Sequence, residues 1–144
     1  MDKIKVRESN LSDEEIVRLL RDFMGEFRDT EEEIRVALSK SRDGGYVLEA
    51  LNGDGIVGLA VVLKLPYEPL FPAYHMTYVA THPDHRREGI GQELIKRIIA
   101  LTGGDISLHV SPRNAKAINL YKKAGFEESY IRMMSNQPSV PGSQ

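Results

Sequence analysis

Arg86, Arg87, Gly89 and Gly91 fall within six residues, between a run that reads as a strand, Tyr74–Thr81, and one that reads as a helix, 90–101. Residues of these types at this spacing can hold an anion. The first N–H groups of a helix lack partners and carry roughly half a positive charge. Glycine lets a phosphate reach the backbone without meeting a Cβ. Arg86, Arg87, Glu88, Gly89, Ile90 and Gly91 are therefore expected to cradle a phosphorylated ligand. Further along, Tyr121 offers a phenol and His109 an imidazole, groups that can give and take protons.

Two common nucleotide sites do not fit. A dinucleotide fingerprint needs Gly-x-Gly-x-x-Gly tight against the strand. Here the eight residues from His82 to Gly89 intervene, and the third glycine position is Leu94. A P-loop needs Gly-Lys followed by Ser or Thr, and no such run follows. His82 and His85 flank a proline turn without a matching carboxylate, so no metal site is expected.

The elements that must position these groups are legible from pattern. Lys3 to Arg7 alternates weakly, as a first strand would. Ser12 with Glu15, and Thr30 with Glu33, are capping boxes that each open a short helix. Residues 46–51 and 56–65 read as strands joined by Asn52-Gly53-Asp54-Gly55, a hairpin signal. Ile90, Leu94, Ile95, Ile98 and Leu101 form an apolar helical stripe that ends at Gly103-Gly104. Ile106, Leu108 and Val110 alternate as a short strand. A helix over 115–124 has Asn114 as N-cap and Gly125 as C′ residue. Residues 126–133 read as a last strand, and 136–144 as a disordered tail. The order is β-αα-βββ-α-β-α-β: one mixed α/β domain over residues 1–135.

The chain has 144 residues, 41% of them hydrophobic and 28% charged, which suits one soluble domain. A net charge of −2 argues against a general nucleic-acid binder. The absence of cysteine excludes disulfides, thiolate nucleophiles and Cys-ligated zinc. The N-terminal residues lack the apolar core of a signal peptide, and no stretch approaches the roughly 20 apolar residues of a membrane span. A cytoplasmic protein that does not bind membranes is expected.

Taken together, the two segments resemble the GNAT superfamily of N-acetyltransferases. The family pattern Arg/Gln-x-x-Gly-x-Gly/Ala appears as Arg86-Arg87-Glu88-Gly89-Ile90-Gly91, after a strand that ends near His82-Pro83. The pattern Asn-x6-Tyr-x3-Gly-Phe appears as Asn114, Tyr121, Gly125 and Phe126. The resemblance implies a mixed, mostly antiparallel sheet flanked by helices. It implies acetyl-CoA as co-substrate, no metal, and a small-molecule or protein amine as acceptor, attacked directly in a ternary complex. It also implies that Val79, Ala80 and Thr81 face the pantetheine arm, that Arg87 to Gln92 wraps the diphosphate, that Asn114 touches the arm, and that Tyr121 lies near the sulfur. A homodimer would be in keeping with relatives. Two departures stand out: the position of a glutamate that serves some members as base is His109, and only one strand is expected after Phe126 where many members have two.

Acetyl transfer to an amine requires an unprotonated amine held near the carbonyl carbon. It requires a donor for the developing oxyanion and a proton for the leaving thiolate. Tyr121 is the candidate acid. His109 is the candidate base, with Glu26, Glu68 or water as alternatives. A non-catalytic module that binds or senses acyl-CoA on the same fold is the alternative function.

Overall fold

The computed structural model describes residues 3–135, so the tail expected over 136–144 lies outside the described residues. Five strands form one sheet in the order β1-β2-β3-β4-β5. They are β1 (Ile4–Glu8), β2 (Tyr46–Asn52), β3 (Gly55–Lys64), β4 (Tyr74–Thr81) and β5 (Ile106–Leu108). β1 to β4 pair antiparallel, and β5 joins β4 in parallel. Helices α1 (Asp13–Met24) and α2 (Glu31–Ser41) follow β1; α3 (Ile90–Thr102) and α4 (Ala115–Lys123) flank β5 in the chain. No helix among the described residues is long and apolar enough to cross a membrane.

Both predicted capping boxes form. The Ser12 hydroxyl accepts from the Glu15 N–H and the Thr30 hydroxyl from the Glu33 N–H, and each glutamate returns to the cap backbone. The Gly53 turn also forms, with φ 63° at Gly53. Two apolar layers sandwich the sheet. On one side Ile16, Leu20, Phe23, Ile34 and Leu38 of α1 and α2 pack on Val47, Leu59, Val61, Tyr78 and Ala80. On the other, Ile90, Leu94, Ile95 and Ile98 of α3 pack on Leu48, Ala60, Val62 and Met76. These four α3 side chains are at most 1% exposed, and burial of each stabilises the fold by about 1.5–3 kcal/mol.

An irregularity in β4 decides which of its residues face which layer. Val61 pairs with Tyr78 and Val62 with Met76, so Thr77 is an extra residue. In a regular strand Met76 and Tyr78, two residues apart, would share a face. With the extra residue, Met76 joins the α3 layer and Tyr78 the α1–α2 layer.

One buried charge was not anticipated. Glu49 in β2 is 2% exposed and is satisfied by Arg7 Nε at 2.8 Å and Ser9 Oγ at 2.7 Å.

The last strand expected over 126–133 does not form. Residues 126–135 carry no regular secondary structure, and Tyr130, Ile131 and Met133 are exposed. Neither face of that run is consistently apolar: Glu128 and Arg132 fall with Tyr130, and Glu127 and Ser129 with Ile131. β5 is also only three residues long, so it offers little edge to pair with.

Candidate active site

β4 and β5 pair only from Tyr74↔Ile106 to Met76↔Leu108. From Thr77 onward β4 has no partner on that side among the described residues. This opens an edge along Val79, Ala80 and Thr81, bounded by α3 and α4. Backbone groups on such an edge need partners. The Thr77 hydroxyl oxygen is buried and makes no hydrogen bond among the described residues. It is an orphaned polar atom at the point where the strands part.

The chain beyond β4 turns through a 3₁₀ segment, Pro83–His85, in which His82 Nδ1 accepts from the Asp84 N–H at 3.0 Å. Arg87 then takes φ 68° and Gly89 φ 80°. Left-handed backbone at a non-glycine residue is uncommon and marks a constrained site. No side chain caps α3. Its first amides have no side-chain partner among the described residues, and uncapped helix amides of this kind are suited to an anion. A Cβ at Gly89 would meet nothing within 4 Å, so the space above it is open.

The neighbouring residues divide in role. A Cβ at Gly91 would lie 2.9 Å from Leu120 Cδ2, so this glycine brings α3 and α4 together. Ile90 is buried in the core, whereas Gln92 is exposed on the first turn. Glu88 pairs with His85 Nδ1 at 3.2 Å. Arg86 donates from Nη2 to the Phe23 carbonyl at 3.0 Å, at the C-terminal end of α1. That end carries partial negative charge, which accounts for the choice of partner. Arg86 thus ties the loop to α1, and Arg87 is the exposed cation left beside the loop amides.

Asn114 caps α4 through Oδ1, which accepts from the Ala117 N–H at 3.2 Å. Its side-chain NH₂ makes no hydrogen bond among the described residues, while its backbone N–H donates to the Ser111 carbonyl at 2.9 Å. Tyr121, two turns further on, packs edge-on to Phe126 with ring centroids 6.0 Å apart. Its hydroxyl makes no hydrogen bond among the described residues. Burial pushes its pKa up, so the phenol stays protonated at neutral pH.

His109 lies just past the last β5 pair and is exposed. Its ring meets that of His75, with centroids 4.8 Å apart. His75 Nδ1 lies 3.0 Å from Ser107 Oγ. Burial, then His109 and then Arg132, lower the His75 pKa to about 4. The unfolded chain, with an imidazole near ~6.5, binds more protons than the folded one between those values. Protonation thus penalises the folded state as pH falls from about 6.5 toward 4. The denaturation midpoint is expected to drop across that window, and His75→Phe to flatten part of the drop. A parent-like slope in His75→Phe would contradict this reading.

On the α1–α2 side, the Tyr78 hydroxyl donates to Asp29 Oδ2 at 2.5 Å, and Arg113 lies over the Phe27 ring at 5.7 Å. The segment after α1 is thereby fastened to β4 and to the β5–α4 loop. Glu26 and Glu68 are both exposed. Pattern reading missed Thr77 and the His75–Ser107 pair, because a bulge and a cross-strand partner leave no local signal. Among the described residues no group of three or more metal-ligating side chains occurs.

The profile of the Acetyltransferase (GNAT) family matches residues 13–126. An N-alpha-acetyltransferase, RimI, of Mycobacterium tuberculosis is 30% identical over 88 residues, 60% of this chain and 55% of that protein. An uncharacterised protein of Mycobacterium leprae is 34% identical over 84 residues, 58% of this chain and 23% of that protein. The matched region thus spans about half or less of these relatives. A structure described as a transcriptional regulator from Bacillus halodurans superposes with a TM-score of 0.72 at 25% identity, covering 94% of this chain and all of that one. With the uncapped helix after β4, the parted strands and a family match over most of its length, the chain belongs to the GNAT acetyltransferase family.

Proposed function

We propose that the protein transfers an acetyl group from acetyl-CoA to a primary amine by direct attack in a ternary complex. The observation that carries this reading is the parting of β4 from β5 at Thr77, beside an orphaned hydroxyl and in line with an uncapped helix. Acetyl-CoA supplies the activated acyl group as a thioester. The N–H groups of 87–92, with Arg87, would hold its diphosphate. The open edge at Val79, Ala80 and Thr81 would pair with its arm, and the Asn114 amide would add a donor there. The same edge can offer an N–H to the carbonyl oxygen as charge develops.

Two side chains do the proton work. Tyr121 stays protonated and donates to the departing sulfur. His109 takes the proton from the incoming amine, and its exposure lets it return that proton to water. RimI, the relative named for its acceptor, acts by that name on an α-amine. A protein amine is accordingly the first acceptor class to try, with small amines beside it.

The test is release of free CoA thiol from acetyl-CoA against a panel of peptide N-termini, lysine peptides, polyamines and aminoglycosides. Amine-dependent release supports the reading. Tight binding of acetyl-CoA with no release on any amine would favour the binding module instead.

A further inference from the structure

We infer that His75 is a positioning residue for His109, fixing the imidazole of the candidate base at the point where β4 and β5 part. The inference rests on the assignment of His109 as base.

Register brings the residues together. His75 pairs with Ser107, one step before the last pair, Met76↔Leu108. Met76 and Leu108 both belong to the α3 layer, so His75 and Ser107 turn to the opposite face. His109, two residues after Ser107, follows on that face, and the two imidazoles meet at 4.8 Å with 60° between their planes.

The two histidines differ in freedom. His109 is exposed at the end of an edge strand three residues long, where nothing else described bonds its ring. His75 is half-buried and anchored by Ser107 Oγ at 3.0 Å. A fixed ring against a free one limits the rotamers of the free one. A base must sit within hydrogen-bond reach of the proton it takes, so that restriction bears directly on rate. His75 is also suited to the task by charge. The groups that face it are His109, Arg132 and Ser107, and burial keeps it neutral at neutral pH. It therefore supports the neighbouring ring without competing for the proton. A lysine or arginine at position 75 would offer no such neutral face.

The experiment compares His75→Ala, His75→Phe and Ser107→Ala with the parent. It reads kcat, KM for acetyl-CoA, and the imidazole carbon–proton NMR signals. The His109 signal is assigned by its loss in His109→Ala. His75→Ala is expected to lower kcat by about tenfold, less than the roughly 100-fold that a misplacement of about 1 Å can cost, while KM for acetyl-CoA stays within about twofold. It should also move the His109 signal as the ring contact is lost. His75→Phe, which keeps a ring there, should restore most of kcat. Ser107→Ala should fall between, with the fold intact. Parent-like kcat and an unmoved His109 signal in His75→Ala, alongside a slow His109→Ala, would overturn the positioning role alone. Parent-like kcat in His109→Ala would overturn the base assignment, and this inference with it.

Discussion

Replacing Tyr121 with phenylalanine is expected to lower kcat by about 100-fold, the scale of a lost general acid, with KM for acetyl-CoA within about twofold of the parent. The substitution removes one oxygen and keeps the ring. Packing against Phe126 survives, and so does the partial burial of Tyr121 in the α3 layer. The hydroxyl makes no hydrogen bond among the described residues, so its loss leaves no orphaned partner and should cost little stability. A fall in turnover without a fall in melting temperature therefore reports chemistry. Burial raises the phenol's pKa, so no limb of the pH–rate profile around neutral pH should belong to Tyr121. Steady-state kinetics with the best amine of the panel decide the matter. A kcat within twofold of the parent would remove Tyr121 as the acid.

The largest effect on stability is expected from Gly45→Ala. Gly45 follows the turn after α2 and precedes β2. An added Cβ would lie 2.1 Å from the Val62 carbonyl oxygen and 2.8 Å from that of Ser41. Both are backbone atoms, so no rotamer can relieve the overlap; β3 or the end of α2 must move. Overpacking in a core costs about 1–3 kcal/mol, and an immovable contact belongs at or above the top of that range. At roughly 3 °C per kcal/mol for a domain of this size, the melting temperature should fall by about 10 °C. Val62 also lies beside the irregularity that leaves Thr77 unpaired, so a shift there should weaken acetyl-CoA binding as well. Gly53→Ala is the control. Its φ is 63°, but a Cβ there meets nothing within 4 Å, so backbone strain alone should cost about 1 kcal/mol. Calorimetry showing Gly45→Ala no worse than Gly53→Ala would refute the steric argument.

Local chemistry was readable and long-range register was not. Ser12, Thr30 and Asn114 announce their helices because a cap needs only the next three residues. Gly89 marks the loop that opens α3 for the same reason: a left-handed residue before a helix is a local demand. The Thr77 irregularity depends on how β3 and β4 fill two different layers, which no window of sequence contains. The same limit explains 126–133. Its residues favour a strand, but pairing depends on the length of β5 and on a face that the charges at Glu127, Glu128 and Arg132 deny it. At the site, Gly91 and Arg86 match the motif but earn their places through packing on Leu120 and a bond to Phe23. Motif spacing locates such residues without saying which of them touches ligand.

The central claim is that the diphosphate of the coenzyme sits on the amides that open α3, with its arm along the open edge of β4. Titration of the ¹⁵N-labelled protein with coenzyme A, followed by amide chemical shifts, tests it most directly. The largest changes are predicted at 87–92, with a second group at 77–81 and at Asn114. Saturable binding that leaves 87–92 unmoved and shifts amides elsewhere would contradict it.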